Sequence, residues 1–425
     1  MGTRKKKREK MEYDIRVIHS SFVTNLRSLR VFVSNLTPIV KRQDEVLIEN
    51  TMKTIRKAHK IFGLSKSELK KKRIKRTKFK PTETQLSKMF SVLRGLPRLT
   101  PRNVQLLYKS AFVMLISYFD FLISDLIHYF YQLFPESLTG KELSITLNEL
   151  KLCNDISEGI SYMVNREVEK VSYKSLDDQI RYFENYLKID CKKNLINWNG
   201  ITEAVERRNI IVHNDSKINK RYLKNVDLSI IPEKTKDLKD LKDLKEGREI
   251  FIREDYFMTA FYETFIGGII LLQCCWRAWE KDDIENADGE LIEIIYDTLR
   301  EEEWKVAERL GLFSKECKVY DERNRLYLDV NYCQSLKWQN KTEQLEKELE
   351  KFDVSSLGPK YILALAALKS DREQFYRNIK KAIAIDEIKK EDLMEWPLFR
   401  EFRKDPEYEK RIKKAFASAS RKSKK

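Results

Sequence analysis

Residues 206–214 read Glu-Arg-Arg-Asn-Ile-Ile-Val-His-Asn and place a carboxylate, two guanidinium groups, two amides and an imidazole within fewer than about three helical turns. In helical projection the neighbouring apolar residues form one stripe: Ile201, Ala204, Val205, Ile211 and Val212. Arg208 falls in the middle of this stripe, whereas Glu206, Asn209 and His213 share the adjacent polar face. An arginine among apolar side chains is unstable unless it is paired, so we expect Arg208 to meet a carboxylate or a phosphate.

The run Arg208-Asn209-Ile210-Ile211-Val212-His213 resembles the Arg-Asn-x-x-x-His signature of HEPN domains (higher eukaryotes and prokaryotes nucleotide-binding). The flanking sequence is also similar, with Glu203 and Glu206 upstream and Ile-Asn-Lys-Arg-Tyr-Leu at 218–223 downstream. The resemblance extends over roughly residues 100–282. It implies an all-α helical bundle that forms a homodimer, and in many members a ribonuclease that needs no metal and no cofactor.

The resemblance implies cleavage of RNA by the neighbouring 2′-hydroxyl, giving a 2′,3′-cyclic phosphate. That reaction needs a base, an acid and positive charge on the phosphate. We expect His213 to move protons, Arg208 to hold the phosphate through its planar fork, and Asn209 to orient either group. Glu206 and Glu203 are supporting carboxylates. One histidine and one arginine make half a site, so the second histidine is expected from a partner copy.

Asp120 is the first acid in the otherwise apolar run 111–122, and many HEPN sequences carry an acid at the comparable place. A carboxylate in such a run needs a partner. We therefore hypothesise that Asp120 pairs with Arg208 and fixes its orientation. The alternative is that Asp120 lies on the helix surface and faces solvent, since Asp125 and His128 follow nearby. For the motif itself, the alternative is structural: Arg208 binds Asp120 only, and His213 caps the helix end.

The chain of 425 residues carries a net charge of +17 with 12 glycines and 9 prolines, which favours a long-helix, all-α protein with a polyanionic partner. Residues 1–80 contain 24 Lys and Arg against 7 Asp and Glu, so the remainder is neutral overall. A small basic tail ends the chain. We expect RNA contacts from basic side chains through counterion release: Lys70, Lys71, Lys72, Arg73, Lys75, Arg76 and Arg207. A solvated linker face is the alternative for residues 66–80.

Six cysteines without a Cys-x-x-Cys pair, and no secretory segment, predict reduced thiols in a cytoplasmic protein. The apolar run 110–134 is long enough to span a bilayer, but its acids predict a buried helix and no membrane partner. No metal-ligand motif is present, so no metal is expected. The closing helix 255–281 is apolar almost all round, and a dimer partner could cover one side of it.

Three regions are predicted: a basic helical N-terminal region (1–95), the HEPN-like domain (96–282) and a tetratricopeptide-like helical region (285–425). Helices are expected over 103–134, 198–212 and 255–281, then over six segments: 291–310, 323–338, 341–352, 360–367, 371–385 and 398–416. The repeat-like region would bind a protein partner or support self-association. The insert 236–245, Lys-Asp-Leu repeated, is expected to be an exposed helix turn or a mobile arm.

The sequence therefore predicts a metal-independent endoribonuclease with a dimeric site, and the resemblance suggests a toxin or phage-defence role. The alternative is a HEPN module without catalysis, which serves for dimerisation or nucleotide binding while the C-terminal helices bind a partner.

Overall fold

The computed structural model describes residues 13–61, 82–94, 103–139, 144–227 and 245–422. Helix makes up 78% of the structure, and the described residues form 18 α-helices and no strand. The all-α class predicted from the scarcity of glycine and proline is therefore confirmed.

The helices are numbered in chain order. In the first half they are α1 Ile15–Ile61, α2 Glu83–Arg94, α3 Asn103–Leu133, α4 Leu147–Leu150, α5 Ile156–Ser172, α6 Leu176–Asn185, α7 Trp198–His213, α8 Lys220–Asn225 and α9 Glu254–Trp279. In the second half they are α10 Ile284–Arg300, α11 Trp304–Glu316, α12 Glu322–Trp338, α13 Thr342–Leu349, α14 Pro359–Leu368, α15 Arg372–Ala384, α16 Lys390–Glu395, α17 Arg400–Arg403 and α18 Tyr408–Lys422.

Two compact units divide the chain, and neither is continuous in sequence. The motif unit comprises residues 20–123 and 199–264. The hairpin unit comprises residues 1–19, 124–198 and 265–425. The three consecutive regions predicted from sequence remain a prediction, since the units interleave along the chain.

In the motif unit, α1 buries apolar side chains at helical spacing: Phe22, Val23, Leu26, Leu29 and Val33. Further along α1, the carboxylate of Asp44 accepts hydrogen bonds from Asn103 Nδ2 at 2.7 Å and from the backbone N–H of Val104 at 3.1 Å. These residues open α3, whose first amides have no partner within the helix. Asp44 thus caps α3 and complements its positive end.

Two helices, α3 and α9, are long and apolar enough to cross a bilayer by length and composition. The most apolar 18-residue window is 50% buried in α3 and 72% buried in α9. The protein therefore covers most of α9 by itself, and a dimer partner is not needed to explain its composition. On α3 the exposed apolar side chains Leu106, Met114 and Phe121 recur at about two-turn spacing.

The hairpin unit contains three successive helical hairpins: α10 with α11, α12 with α13, and α14 with α15. A residue with positive φ follows the last residue of each first helix by two positions: Glu302, Asn340 or Ser370. In each turn the next residue donates its N–H to a carbonyl five positions back: Glu303 to Thr298 (2.8 Å), Lys341 to Leu336 (3.0 Å) and Asp371 to Ala366 (2.9 Å). This is the Schellman pattern, which satisfies carbonyls that a helix end leaves open.

Small and large side chains pack together in the core of these hairpins. Ala364 and Ala367 of α14 are fully buried together with Phe375 of α15. The Phe375 ring stacks on Phe402 with centroids 3.9 Å apart. The turns lie 38 and then 30 residues apart. The tetratricopeptide-like assignment stays a prediction.

Two predicted helices are wrong in extent. The segment 291–310 is two helices, because the positive-φ turn at Glu302 breaks it. The segment 398–416 contains a 3₁₀ turn at Pro397–Phe399, the short α17 and the start of α18. Pro406 stands between α17 and α18, where its ring and missing N–H prevent a continuous helix.

Candidate functional site

The motif helix α7 covers Trp198–His213, as the sequence predicted, but its buried face differs from the predicted one. The residues that lie against the protein are Ile201, Glu203, Ala204, Glu206, Arg207 and Ile210. Val212 is 51% exposed, and Val205 and Ile211 are only partly buried. The predicted stripe is therefore correct for Ile201 and Ala204 and wrong for its other members, and three charged side chains complete the buried face.

Glu203 is the centre of a buried cluster with Arg207, Tyr222 and Tyr256, here called the Glu203 cluster. Arg207 donates from both Nε and Nη2 to Glu203 Oε1 at 2.7 Å. Tyr222 Oη donates to the same oxygen at 2.5 Å, and Tyr256 Oη donates to Glu203 Oε2. Both carboxylate oxygens are thus satisfied, as a buried carboxylate requires.

The Arg207 guanidinium also lies over the Tyr256 ring, with Cζ 3.7 Å from the ring centroid. Burial would lower the pKa of Arg207, but Glu203 and the two tyrosines outweigh it, and the pKa is raised. Burial raises the pKa of Tyr222 and that of Tyr256, with the Glu203 charge adding to it. Arg207 therefore stays charged and the phenols stay protonated at neutral pH. The cluster fixes α7 to α8 and α9.

Arg207 was predicted to contact RNA, but it is 4% exposed and its donors face Glu203 within the protein. The other predicted RNA contacts, between Lys70 and Arg76, lie outside the described residues.

Arg208, unlike the neighbouring Arg207, is partly exposed. Its Nη2 donates to Asp120 Oδ2 on α3 at 2.7 Å, so the predicted ion pair is present. The side chains of Arg208 and Asp120 are 22% and 39% exposed. Arg208 Nε is buried and has no hydrogen-bond partner among the described residues. One side of the guanidinium is thus held by Asp120, and a further donor is left for another acceptor.

Asp120 is held in a partly dehydrated position. Burial raises the pKa of its carboxyl, and the Arg208 charge opposes that rise. Asp125, one turn later on α3, also has its pKa raised by burial. Asp120 is therefore the acid that meets the motif helix, whereas Asp125 is not seen to pair with a cation in the described part of the chain.

Glu206 was expected on the open polar face, but it is 4% exposed. Its Oε1 accepts from Asn225 Nδ2 at 2.9 Å, and its Oε2 lies 3.5 Å from Arg221 Nε. These contacts join α7 to α8. Glu206 therefore supports the local fold instead of lying open beside the imidazole.

His213 is the last residue of α7 and is exposed, and Asn209 is partly exposed. Neither side chain makes a hydrogen bond to a described residue. The backbone fixes the helix end: Asn214 and Ser216 both donate their N–H to Ile210 O, at 3.0 and 2.9 Å. His213 follows Arg208 by five helical positions, which corresponds to a rotation of about 140° around the helix axis and a rise of about 7.5 Å along it. Asn209 lies about 40° from His213, on the same side.

Sequence reasoning missed Tyr222, Tyr256 and Asn225 as partners of the motif helix. Tyr222 stands in the Asn-Lys-Arg-Tyr-Leu segment that was noted only as an extension. The spacing of Glu203 and Arg207, four apart on one helix, was the available signal for a paired charge. No spacing rule connects Glu203 or Arg207 to Tyr256, which lies 53 positions after Glu203.

No protein family, no curated protein and no solved structure matches the chain. No group of three or more His, Cys, Asp or Glu side chains suited to a metal ion occurs in the described ranges.

Proposed function

We propose that the chain is an RNA-cleaving enzyme of the HEPN kind, with Arg208 and His213 in its active site. The observation that carries the proposal is the state of Arg208. Asp120 orients its guanidinium at 2.7 Å, while the buried Nε has no partner among the described residues. A partly exposed guanidinium that Asp120 already orients suits a phosphate oxygen, since charge-assisted N–H bonds to an oxyanion are favourable.

In this proposal His213 moves the proton. An exposed imidazole without an internal partner can reach a bound strand and accept or donate a proton there. Asn209, on the same side of α7, orients the imidazole or the phosphate. Since acid and base must stand on opposite sides of the phosphate, the proposed site takes a second imidazole from a partner copy.

The test is cleavage of labelled RNA by the full chain, with EDTA present, between about pH 6 and about pH 9. We expect products ending in 2′,3′-cyclic phosphate, and a loss of about 10²–10⁴-fold in rate for His213→Ala. Lys224→Ala is the matched control, because Lys224 is an exposed cation of α8 in the same unit. Absence of cleavage across this range with diverse RNAs, or equal cleavage by His213→Ala, contradicts the proposal.

Mixing experiments test the shared site separately. If each site uses both imidazoles, adding excess His213→Ala to the wild-type protein should lower the cleavage rate more steeply than it lowers the fraction of wild-type chains in the mixture. Dilution with Lys224→Ala should leave the rate per active chain unchanged. A rate that falls only in proportion to the wild-type fraction shows a site complete within one chain.

A second candidate is a self-association module without catalysis. The exposed apolar side chains of α3 favour it, because Leu106, Met114 and Phe121 are 66%, 41% and 57% exposed on one protein surface. Under this alternative, Phe121→Ser lowers the sedimentation mass of the assembly, while Arg208→Ala has no effect on assembly or on growth of expressing cells. If expression of the wild type arrests cell growth and expression of Arg208→Ala or His213→Ala does not, the result favours the RNA-cleaving enzyme over the non-catalytic module.

A further inference from the structure

In the hairpin unit, two cations converge on one phenol at the first turns of α12 and α14. Lys360 Nζ lies 3.2 Å from Tyr327 Oη and 5.1 Å from the centroid of that ring. The guanidinium carbon of Arg323 lies 5.8 Å from the same centroid. The ring of Tyr361 meets Tyr327 edge-on at 5.8 Å. These four residues are called the phenol cluster.

The phenol cluster has more positive than negative charge. Within the described residues, neither Arg323 nor Lys360 has a carboxylate at ion-pair distance. Two acids stand nearby and are otherwise engaged: Glu387 Oε2 accepts the backbone N–H of Lys360 at 2.9 Å, and Asp321 Oδ1 accepts that of Asn324 at 2.8 Å.

Other lysines of the same hairpins are paired. Lys315 lies 2.5 Å from Glu348, Lys337 lies 3.0 Å from Glu401, and Lys341 lies 2.5 Å from Glu308. Partly buried cations in proteins are normally paired, because desolvated charge without a partner is unfavourable. Lys360 is partly buried and differs from these three lysines, because its Nζ meets a phenol oxygen instead of a carboxylate; Arg323 is exposed.

The phenol cluster favours negative charge at its centre. Burial would raise the pKa of Tyr327, but Lys360 and Arg323 outweigh it and the pKa is lowered. The hydroxyl of Tyr361 is buried and makes no hydrogen bond to a described residue. Two cations thus flank the Tyr327 phenol, whose oxygen lies 3.2 Å from Lys360 Nζ.

We propose that the phenol cluster binds a phosphate-class dianion between Arg323 and Lys360. The guanidinium supplies a planar fork and the ammonium a compact point charge, which is a common pairing for phosphate oxygens. The hydroxyl of Tyr327 is a further donor. The dianion is either free phosphate or the phosphate of a nucleotide, and the site does not depend on the proposed RNA cleavage.

Calorimetric titration of the full chain tests this with inorganic phosphate, with adenosine monophosphate and with adenosine, at constant ionic strength. We expect phosphate to bind, and Lys360→Gln or Arg323→Gln to weaken it about tenfold or more, since each removes a charged donor. Lys351→Gln is the matched control, because Lys351 is an exposed lysine already paired with Glu348 at 2.8 Å. If adenosine monophosphate binds and inorganic phosphate does not, the dianion is the phosphate of a nucleotide.

Tyrosinate absorbance gives a second readout. In chloride, one phenol should ionise at lower pH than the others, and this step should be missing in Tyr327→Phe. Phosphate should move the step to higher pH, because a bound dianion neutralises the two cations. The proposal is overturned if neither phosphate nor the monophosphate binds, if they bind equally to the Arg323→Gln and Lys360→Gln variants, or if only long RNA binds.

Discussion

The two arginines of the motif helix lie side by side in sequence and have opposite environments. Arg207 is buried, and its Nε and Nη2 donate to Glu203 while its face lies over Tyr256. Arg208 is partly exposed, with one donor on Asp120 and the buried Nε unpartnered among the described residues. The difference shows how one helix can serve two purposes: a satisfied charge holds the helix, and a partly satisfied charge remains for a ligand.

The same contrast separates the two glutamates from the histidine. Glu203 and Glu206 are both buried and hydrogen-bonded to α8, so they belong with Arg207. His213 is exposed at the end of the helix and, like Arg208, takes no part in these buried contacts. Substitutions of the buried residues should change the free energy of unfolding, and substitutions of Arg208 or His213 should change RNA cleavage.

Arg207→Ala should have the largest effect. It leaves the Glu203 carboxylate buried without its counter-charge, and we expect the free energy of unfolding to fall by about 3–5 kcal/mol. Urea denaturation followed by circular dichroism measures this. Arg208→Ala is the matched control and should lose less than about 1 kcal/mol, because its ion pair is partly exposed. An equal loss in the two variants would contradict the assignment of faces.

Arg208→Ala should have the second largest effect, on catalysis. Removing an oriented cation that stabilises a phosphate transition state should lower the RNA cleavage rate by about 10²–10³-fold. The measurement is single-turnover cleavage under the conditions set for His213→Ala. Arg208→Lys separates charge from shape, because an ammonium keeps the charge but lacks the fork. Full activity of Arg208→Ala would remove Arg208 from the site.

Asp120→Asn should have an intermediate effect, because the guanidinium keeps a hydrogen-bond partner but loses the charge that orients it. We expect cleavage to fall about tenfold. Since burial raises the pKa of Asp120 in the folded state, the folded protein takes up its proton at higher pH than the unfolded chain does.

The stability of wild type relative to Asp120→Asn should therefore rise as the pH falls towards about pH 4, where a free aspartate protonates. Conversely, this relative stability should be lost as the pH rises through the raised pKa of Asp120 in the folded state. Urea titrations of both proteins across this range measure the difference. A difference that is constant with pH, or that changes in the opposite direction, contradicts the inferred direction of the shift.

Glu206→Gln should have the smallest effect. The amide oxygen can still accept from Asn225, and only the ion pair with the largely exposed Arg221 is lost. We expect less than about 1 kcal/mol in the free energy of unfolding, and no change in cleavage. A loss of RNA cleavage without a loss of stability would show that Glu206 takes part in catalysis.

Sequence patterns located the motif helix and its contact with Asp120, but they assigned the wrong face. Periodicity counts apolar side chains as buried and charged ones as exposed. In α7 that rule fails, because Glu203 and Arg207 neutralise each other and two distant phenols complete their hydrogen bonds. The tyrosines lie on α8 and α9, so the compensation depends on tertiary structure and has no local signature.

The extent of one helix of the C-terminal region was predicted closely. Arg323–Trp338 was expected, and α12 covers Glu322–Trp338. The break at Glu302 was not predictable from composition, because glutamate is a good helix former and carries no turn signal. Positive φ at a glutamate requires support from the surrounding structure, which here comes from the Schellman hydrogen bonds.

The three Schellman turns bear on how freely these positions can vary in evolution. Glu302, Asn340 and Ser370 occupy a left-handed conformation that is unfavourable by roughly 1–2 kcal/mol for a residue with a Cβ and least so for asparagine. Glycine would relieve this strain, yet it would also make the unfolded chain more flexible. The two effects oppose each other, so drift between glycine, asparagine and other residues should leave hairpin geometry unaltered. Homologous chains would then conserve the turns in shape while differing in sequence.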